Sequence, residues 1–141
     1  MTIYEWSSLA RATPLYRHPD LPYGEAMNPK ENLDNAFDTL AEGELRRLER
    51  ALSGFDPDEV DASIGGDVLT LTLGDGAKII INRHRAARQI WMAALRRAWH
   101  FDHDAGGQWS TTVAGERHEL WATLQQILSE RLRTPIVLTR A

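Results

Sequence analysis

With no cysteine among its 141 residues, this chain has carboxylates, imidazoles and indoles as its chemically capable side chains. That absence rules out disulfides, thiolate zinc sites and a thiolate nucleophile. The densest chemistry lies in the acidic loop Asp56-Pro57-Asp58-Glu59-Val60-Asp61, which follows Glu49 closely. Residues 33–63 carry Asp34, Asp38, Glu42, Glu44, Glu49, Asp56, Asp58, Glu59 and Asp61 against only Arg46, Arg47 and Arg50, whereas residues 64–141 lean basic. Within a net charge of −4, this asymmetry suits electrostatic docking on a partner. The competing reading is a solvated helix face followed by a solvated loop.

Aromatic and imidazole groups form the second candidate surface. If Ile90 and Met92 point into a core, Trp91 must point away, because strand side chains alternate. Asn82 falls on the same outer face when Ile79 and Ile81 point inward. An outward tryptophan buries a large area with few rotamers and makes a good partner anchor; its plainer role is to cover the sheet. His84, His100, His103 and His118 lie in this part of the chain and His18 near its start. In the local cluster of His100, Asp102, His103 and Asp104, His100 and Asp102 share one strand face and could share a metal ion, but no HExxH or comparable ligand motif occurs and the plainer reading is a surface histidine beside a carboxylate. No nucleophile, base and oxyanion donor can be assembled, so no catalytic residue is assigned.

Other classes are disfavoured by composition. No dense basic patch is interleaved with aromatics, so nucleic acid is not an expected partner. No apolar run approaches the roughly 20 residues that cross a bilayer. Met1 to Ala12 lack a basic start followed by an apolar stretch, so a cytoplasmic protein without a signal peptide is expected.

The elements that must position these groups follow from periodicity. Residues 1–32 hold Pro14, Pro19, Pro22 and Pro29 without a sustained period and read as an irregular extension, the alternative being that translation starts at Met27. Residues 33–141 read as one domain. Leu33 to about Ser53 is helical, with Phe37, Leu40, Ala41, Leu48 and Leu52 along one face and Asp34, Asp38, Glu42 and Glu49 beside it. Strands follow at Val60 to Ile64, Val68 to Leu73, Lys78 to Asn82, Gln89 to Ala94, Trp99 to Asp102 and about Gln108 to Ser110. Gly74-Asp75-Gly76 marks a hairpin turn. Glu116 to Leu132 returns to a helical period, and Pro135 to Leu138 forms an extended tail against the core. Helix, strands joined by hairpins, then helix predicts an α+β two-layer sandwich: two helices packed on one face of an antiparallel sheet.

Within that frame, Val68-Leu69-Thr70-Leu71, a glycine-containing turn, Lys78-Ile79-Ile80-Ile81-Asn82-Arg83, Gln89-Ile90-Trp91-Met92-Ala93 and Trp99-His100-Phe101-Asp102 resemble bacterial frataxins in order and spacing. The resemblance covers about residues 33–132. It implies a non-catalytic accessory protein of iron–sulfur cluster assembly that binds the cysteine desulfurase and its scaffold protein and tunes their rate. It also implies weak, surface-bound iron (Fe2+ or Fe3+) on an acidic ridge. Matched residue by residue, that ridge is Glu49, Asp56, Asp58, Glu59 and Asp61, with Asp34, Asp38 and Glu42 as an upstream extension. Asp58 and Asp61 would also dock on the partner, as would Asn82 and Trp91. Lacking cysteine, the chain would act on clusters indirectly.

The chain departs from the family in three places. Arg46, Arg47 and Arg50 surround Glu49 where acids are usual, and such cations oppose iron. Arg97-Ala98 replaces a usual Gly-Gly, and His84 replaces a usual Gln. Together with the extension, these departures support an alternative: a frataxin-fold module redirected to another protein, without an iron role. An iron oxidase is a third reading, with little support. The chain is expected to be a monomer.

Overall fold

The computed structural model describes residues 28–140; the Pro-containing stretch before them, with Met27, lies outside the described residues. The chain divides into two units, Met1–Leu33 and Asp34–Ala141. The described part of the first unit is the opening of helix α1 (Pro29–Leu52). Asn28 starts that helix: its side-chain oxygen accepts the Glu31 N–H at 2.8 Å, Pro29 occupies the first helical position, and Glu31 supplies an acid in the first turn. The helix therefore begins at Pro29 rather than at Leu33.

The buried face of α1 comprises Phe37, Ala41, Leu45, Leu48 and Leu52, joined by Asp34 and Glu44. Leu40, expected on this face, is 46% exposed. At about 100° per residue it lies roughly 90° off the centre of the stripe. Asp34 falls near the centre and is drawn in.

Seven antiparallel strands follow in a simple meander, each paired with the next: β1 (Val60–Gly65), β2 (Val68–Leu73), β3 (Lys78–His84), β4 (Gln89–Ala94), β5 (Arg97–His103), β6 (Trp109–Val113) and β7 (Glu116–Glu119). Alternation decides which face is covered. Leu69, Leu71, Leu73, Ile79, Ile81, Ile90 and Met92 are buried, while the residues between them are half-buried or exposed. Each such side chain contributes about 1.5–3 kcal/mol on burial. Helix α2 (Leu120–Leu132) adds Leu120, Trp121, Leu124, Ile127 and Leu128 to the same core.

Strand β7 replaces the expected first turn of α2. Ala114 and Gly115, at φ of 52° and 82°, make a two-residue turn, and Glu116–Glu119 then pairs back along β6. Glu119 is the N-cap of α2, its carboxylate accepting the Trp121 N–H. After α2, Ser129 Oγ and Gln125 Oε1 accept the N–H groups of Ile136 and Leu138, each at 2.9 Å. Both side chains reach the core, as expected for the tail.

Candidate functional site

The acidic loop joins α1 to β1 at the end of the sheet that also holds the β2–β3 turn. It is held by its own backbone. Asp56 accepts the Asp58 N–H on its carboxylate at 2.9 Å, and its carbonyl accepts the N–H groups of Glu59 and Val60 at 2.8 and 2.9 Å. Gly74 pins the loop from the β2–β3 turn, donating its N–H to the Glu59 carbonyl at 3.1 Å. A Cβ there would stand 2.6 Å from the Asp58 carbonyl oxygen, so only glycine permits this approach. Asp56, Asp58, Glu59 and Asp61 are exposed and Glu49 is half-buried. Among the described residues none of these five forms an ion pair.

The acids upstream are arranged differently. Asp34 pairs with Arg88 at 2.9 Å and Asp38 with Arg85 at 3.5 Å. Glu42 bonds Arg46 at 2.8 Å and lies 3.9 Å from Arg83, whose guanidinium also reaches Asp67 and, at 3.4 Å, the Asp38 carbonyl. The β3–β4 hairpin thus lays its arginines along the acids of α1. Asp34, Asp38 and Glu42, the expected upstream extension of the ridge, are thus each paired with an arginine. Two of the arginines flanking Glu49 are engaged as well, Arg46 by Glu42 and Arg47 by Glu44 at 3.4 Å.

On the other face of the sheet, Trp91 stands opposite Asn82 on β3 and His100 on β5. Ile90 and Met92 are fully buried, so Trp91 points away from the helices as the alternation requires. Its ring lies between those of His84 and His100, at centroid distances of 3.7 and 4.1 Å. Trp91 Nε1–H donates to Gln89 Oε1 at 2.8 Å, and Gln89 Nε2 donates to Asp102 Oδ1 at 3.1 Å. Around it the outer face carries Thr70, Thr72, Ile80, Ala93 and Ala98, with Asp102 on the same face of β5 as His100 and Lys78 at the far end of β3.

The His100–Asp104 cluster is not drawn around one point. Asp104 turns into its own loop, accepting the N–H groups of Gly106 and Gln108 at 3.0 Å, Ser110 Oγ–H at 2.8 Å and Arg117 at 2.8 Å. The Gln108 N–H foremost, then Arg117 and Ser110, hold this carboxyl well below the usual carboxylate range. Asp75 is lowered too, first by the Ala77 N–H and also by Arg131. Among the described residues no three His, Asp or Glu side chains are grouped to hold a metal ion. The ridge is an open row of carboxylates, not a cage.

One acid carried no functional signal in the sequence. Glu44 is 1% exposed, receiving Trp121 Nε1–H, Arg140 at 2.8 Å and Arg47. It ties α1, α2 and the tail together. The sign that pointed to it was its place on the apolar stripe between Ala41 and Leu48.

An antiparallel meander covered on one face by two helices, with free carboxylates in an open row and a tryptophan on the bare face, defines an α+β sandwich whose chemically capable groups lie on its surface. The frataxin-like domain family matches residues 30–134, and the chain belongs to the bacterial frataxin family. The iron–sulfur cluster assembly protein CyaY of Ralstonia nicotianae is 38% identical over 109 residues, covering 74% of this chain and 93% of that protein. The solved frataxin of Psychromonas ingrahamii superposes with a TM-score of 0.65 at 28% identity, over 75% of this chain and 97% of that one. Yeast frataxin, at 22% identity, shares the fold with a TM-score of 0.52 over 84% and 94% of the two chains. No described helix is long and apolar enough to cross a membrane.

Proposed function

We propose that this chain is a non-catalytic accessory protein of iron–sulfur cluster assembly, working in the cytoplasm as a monomer. It docks on the cysteine desulfurase and scaffold complex through Asp58 and Asp61 on the ridge and through Asn82 and Trp91 on the outer face. Iron is held weakly by Glu49, Asp56, Asp58, Glu59 and Asp61. The observation that carries this reading is the sorting of carboxylates: Asp34, Asp38 and Glu42 of α1 are paired with arginines, while those of the ridge form no ion pair among the described residues. Free carboxylates attract both a hydrated cation and a basic protein face. The name carried by the Ralstonia relative supports the pathway.

Calorimetry with the host's cysteine desulfurase at low and moderate salt tests the docking. Binding that weakens with salt supports it. No binding at either salt, with or without the scaffold protein, moves the function to a frataxin-fold module serving another partner. One observation favours that second reading: the hairpin arginines shorten the acidic surface to the stretch from Glu49 onward.

A further inference from the structure

The meander has two edge strands, and they are not alike. Strand β7 is four residues long, Glu116-Arg117-His118-Glu119, and every side chain is ionisable, which keeps an edge from pairing with other chains. Strand β1 forms the other edge, runs for six residues and carries Asp61 as its one ionisable side chain.

The register shows which backbone groups β1 leaves open. Gly74 N–H bonds the Glu59 carbonyl at 3.1 Å, and Arg83 N–H bonds the Asp67 carbonyl at 3.0 Å. Bonded and non-bonded pairs alternate along an antiparallel ladder. The Arg83 bond commits the odd-numbered residues of β2 to β3 and leaves the even-numbered ones to β1, in phase with the Gly74 bond. Asp61, Ser63 and Gly65 therefore bond Thr72, Thr70 and Val68. Ala62 and Ile64 turn their N–H and C=O groups to the open edge, where neither meets a partner among the described residues. Val60 also turns outward, but its N–H is taken by the Asp56 carbonyl at 2.9 Å. The open edge thus starts where the acidic loop ends.

We propose that the β1 edge takes up an extended segment of the protein partner as an added strand, a segment that alternates apolar residues with lysine or arginine. This deepens the docking reading given above and rests on it. In strand addition the main chain supplies the bonds and the flanking side chains select the sequence. A strand laid about 4.8 Å beyond β1 sends alternate side chains to opposite faces. On the inner face they meet Ala62 and Ile64, half-buried at the margin of the core. On the outer face they meet Asp61 and Ser63, with Asp58 and Glu59 in the loop beside them. These carboxylates form no ion pair among the described residues, so a cation is their complement. A second copy of this chain brings none to the edge. Residues 56–67 hold Asp56, Asp58, Glu59, Asp61 and Asp67 and neither lysine nor arginine, so self-pairing sets acid beside acid.

Two measurements on the full chain test this. Amide hydrogen exchange compares the free chain with its complex with the host's desulfurase and scaffold. The Ala62 and Ile64 amides should exchange at least about tenfold more slowly in the complex. Unchanged exchange at both, in a complex that does form, overturns strand addition alone. Calorimetry then compares Ala62→Pro, which removes one outward N–H and spares the β2 ladder and every ridge carboxylate, with Ala62→Gly, which keeps that N–H. The proline variant should bind about tenfold more weakly and keep its salt dependence. Equal affinities overturn the proposal; should Ala62→Pro fail to fold, the exchange measurement decides. Protection that rises with the concentration of this chain alone gives the edge to a second copy and also overturns it. No complex at either salt overturns the docking reading and the added strand with it.

Discussion

Arg88 Nε donates to Asp34 Oδ1 at 2.9 Å, closing a contact between residues 54 apart in sequence. With Arg85 on Asp38 and Arg83 near Glu42, it makes the β3–β4 hairpin a cationic strip along α1. The chain carries a long acidic surface in composition and a short one in space.

Divalent cations should therefore find only the ridge. With Mn2+ as a paramagnetic probe, amide broadening is expected at Glu49 and from Asp56 to Asp61, and not from Asp34 to Glu42. In Arg85→Gln the broadening should spread to Asp38. Broadening centred on Asp34–Glu42 in the wild type would contradict the sorting of carboxylates.

The ridge loop depends on a glycine outside it. Gly74→Ala places a methyl group against the Asp58 carbonyl, which a backbone atom cannot evade cheaply. Chemical-shift changes should concentrate at Asp56–Val60 and weaken Mn2+ broadening there, while the shifts of Trp91 and its neighbours stay in place. Unmoved Asp58 and Glu59 resonances would show that the contact does not shape the loop.

Glu44 is a structural acid. Glu44→Ala leaves Trp121 Nε1–H and the Arg140 guanidinium without their buried acceptor and should cost about 3 kcal/mol in urea unfolding. Arg47→Ala should cost under about 1 kcal/mol, since that contact is long, at 3.4 Å, and Arg47 is only half-buried. Equal losses from the two substitutions would refute this ranking.

The β4–β5 turn stores strain. Leu95 and Arg96 sit at φ of 52° and 68° in a two-residue connection that favours Asn-Gly. Leu95→Asn/Arg96→Gly should raise stability by about 1 kcal/mol in urea unfolding. A loss of stability would mean that the Leu95 side chain contributes more than the backbone costs.

Acid should act through Asp104. Its carboxyl lies below its ordinary value in the folded chain, so its contribution is complete above the unfolded value near 4 and fades as pH falls below that. Urea midpoints of Asp104→Asn should therefore fall less steeply than wild type between pH 4 and 2.5. Parallel curves would show that the loop bonds do not favour the ionised form.

Much of this architecture was legible because period-2 alternation is loud where one face is buried. Val68–Leu73 and Lys78–Asn82 announced their hairpin, and Ile90 and Met92 fixed the direction of Trp91. Strand β7 was silent because Glu116-Arg117-His118-Glu119 holds no apolar residue, and backbone pairing alone carries it. The start of α1 carries an ambiguous signal, Asn28-Pro29 followed by Glu31, since proline marks irregular chain as readily as a first helical turn. The pairing of Asp34 with Arg88 had no local signature. It depends on which end of the sheet the hairpin reaches, and that is a property of the fold.

The docking claim is tested most directly by charge reversal on the ridge. Calorimetry at low salt would compare wild type, Asp58→Lys/Asp61→Lys and a control reversal, Glu116→Lys, on β7 at the opposite edge of the sheet, against the host's cysteine desulfurase and scaffold complex. The ridge variant should bind at least about tenfold more weakly and lose the salt dependence, with the control unchanged. Equal affinity for all three would contradict the account.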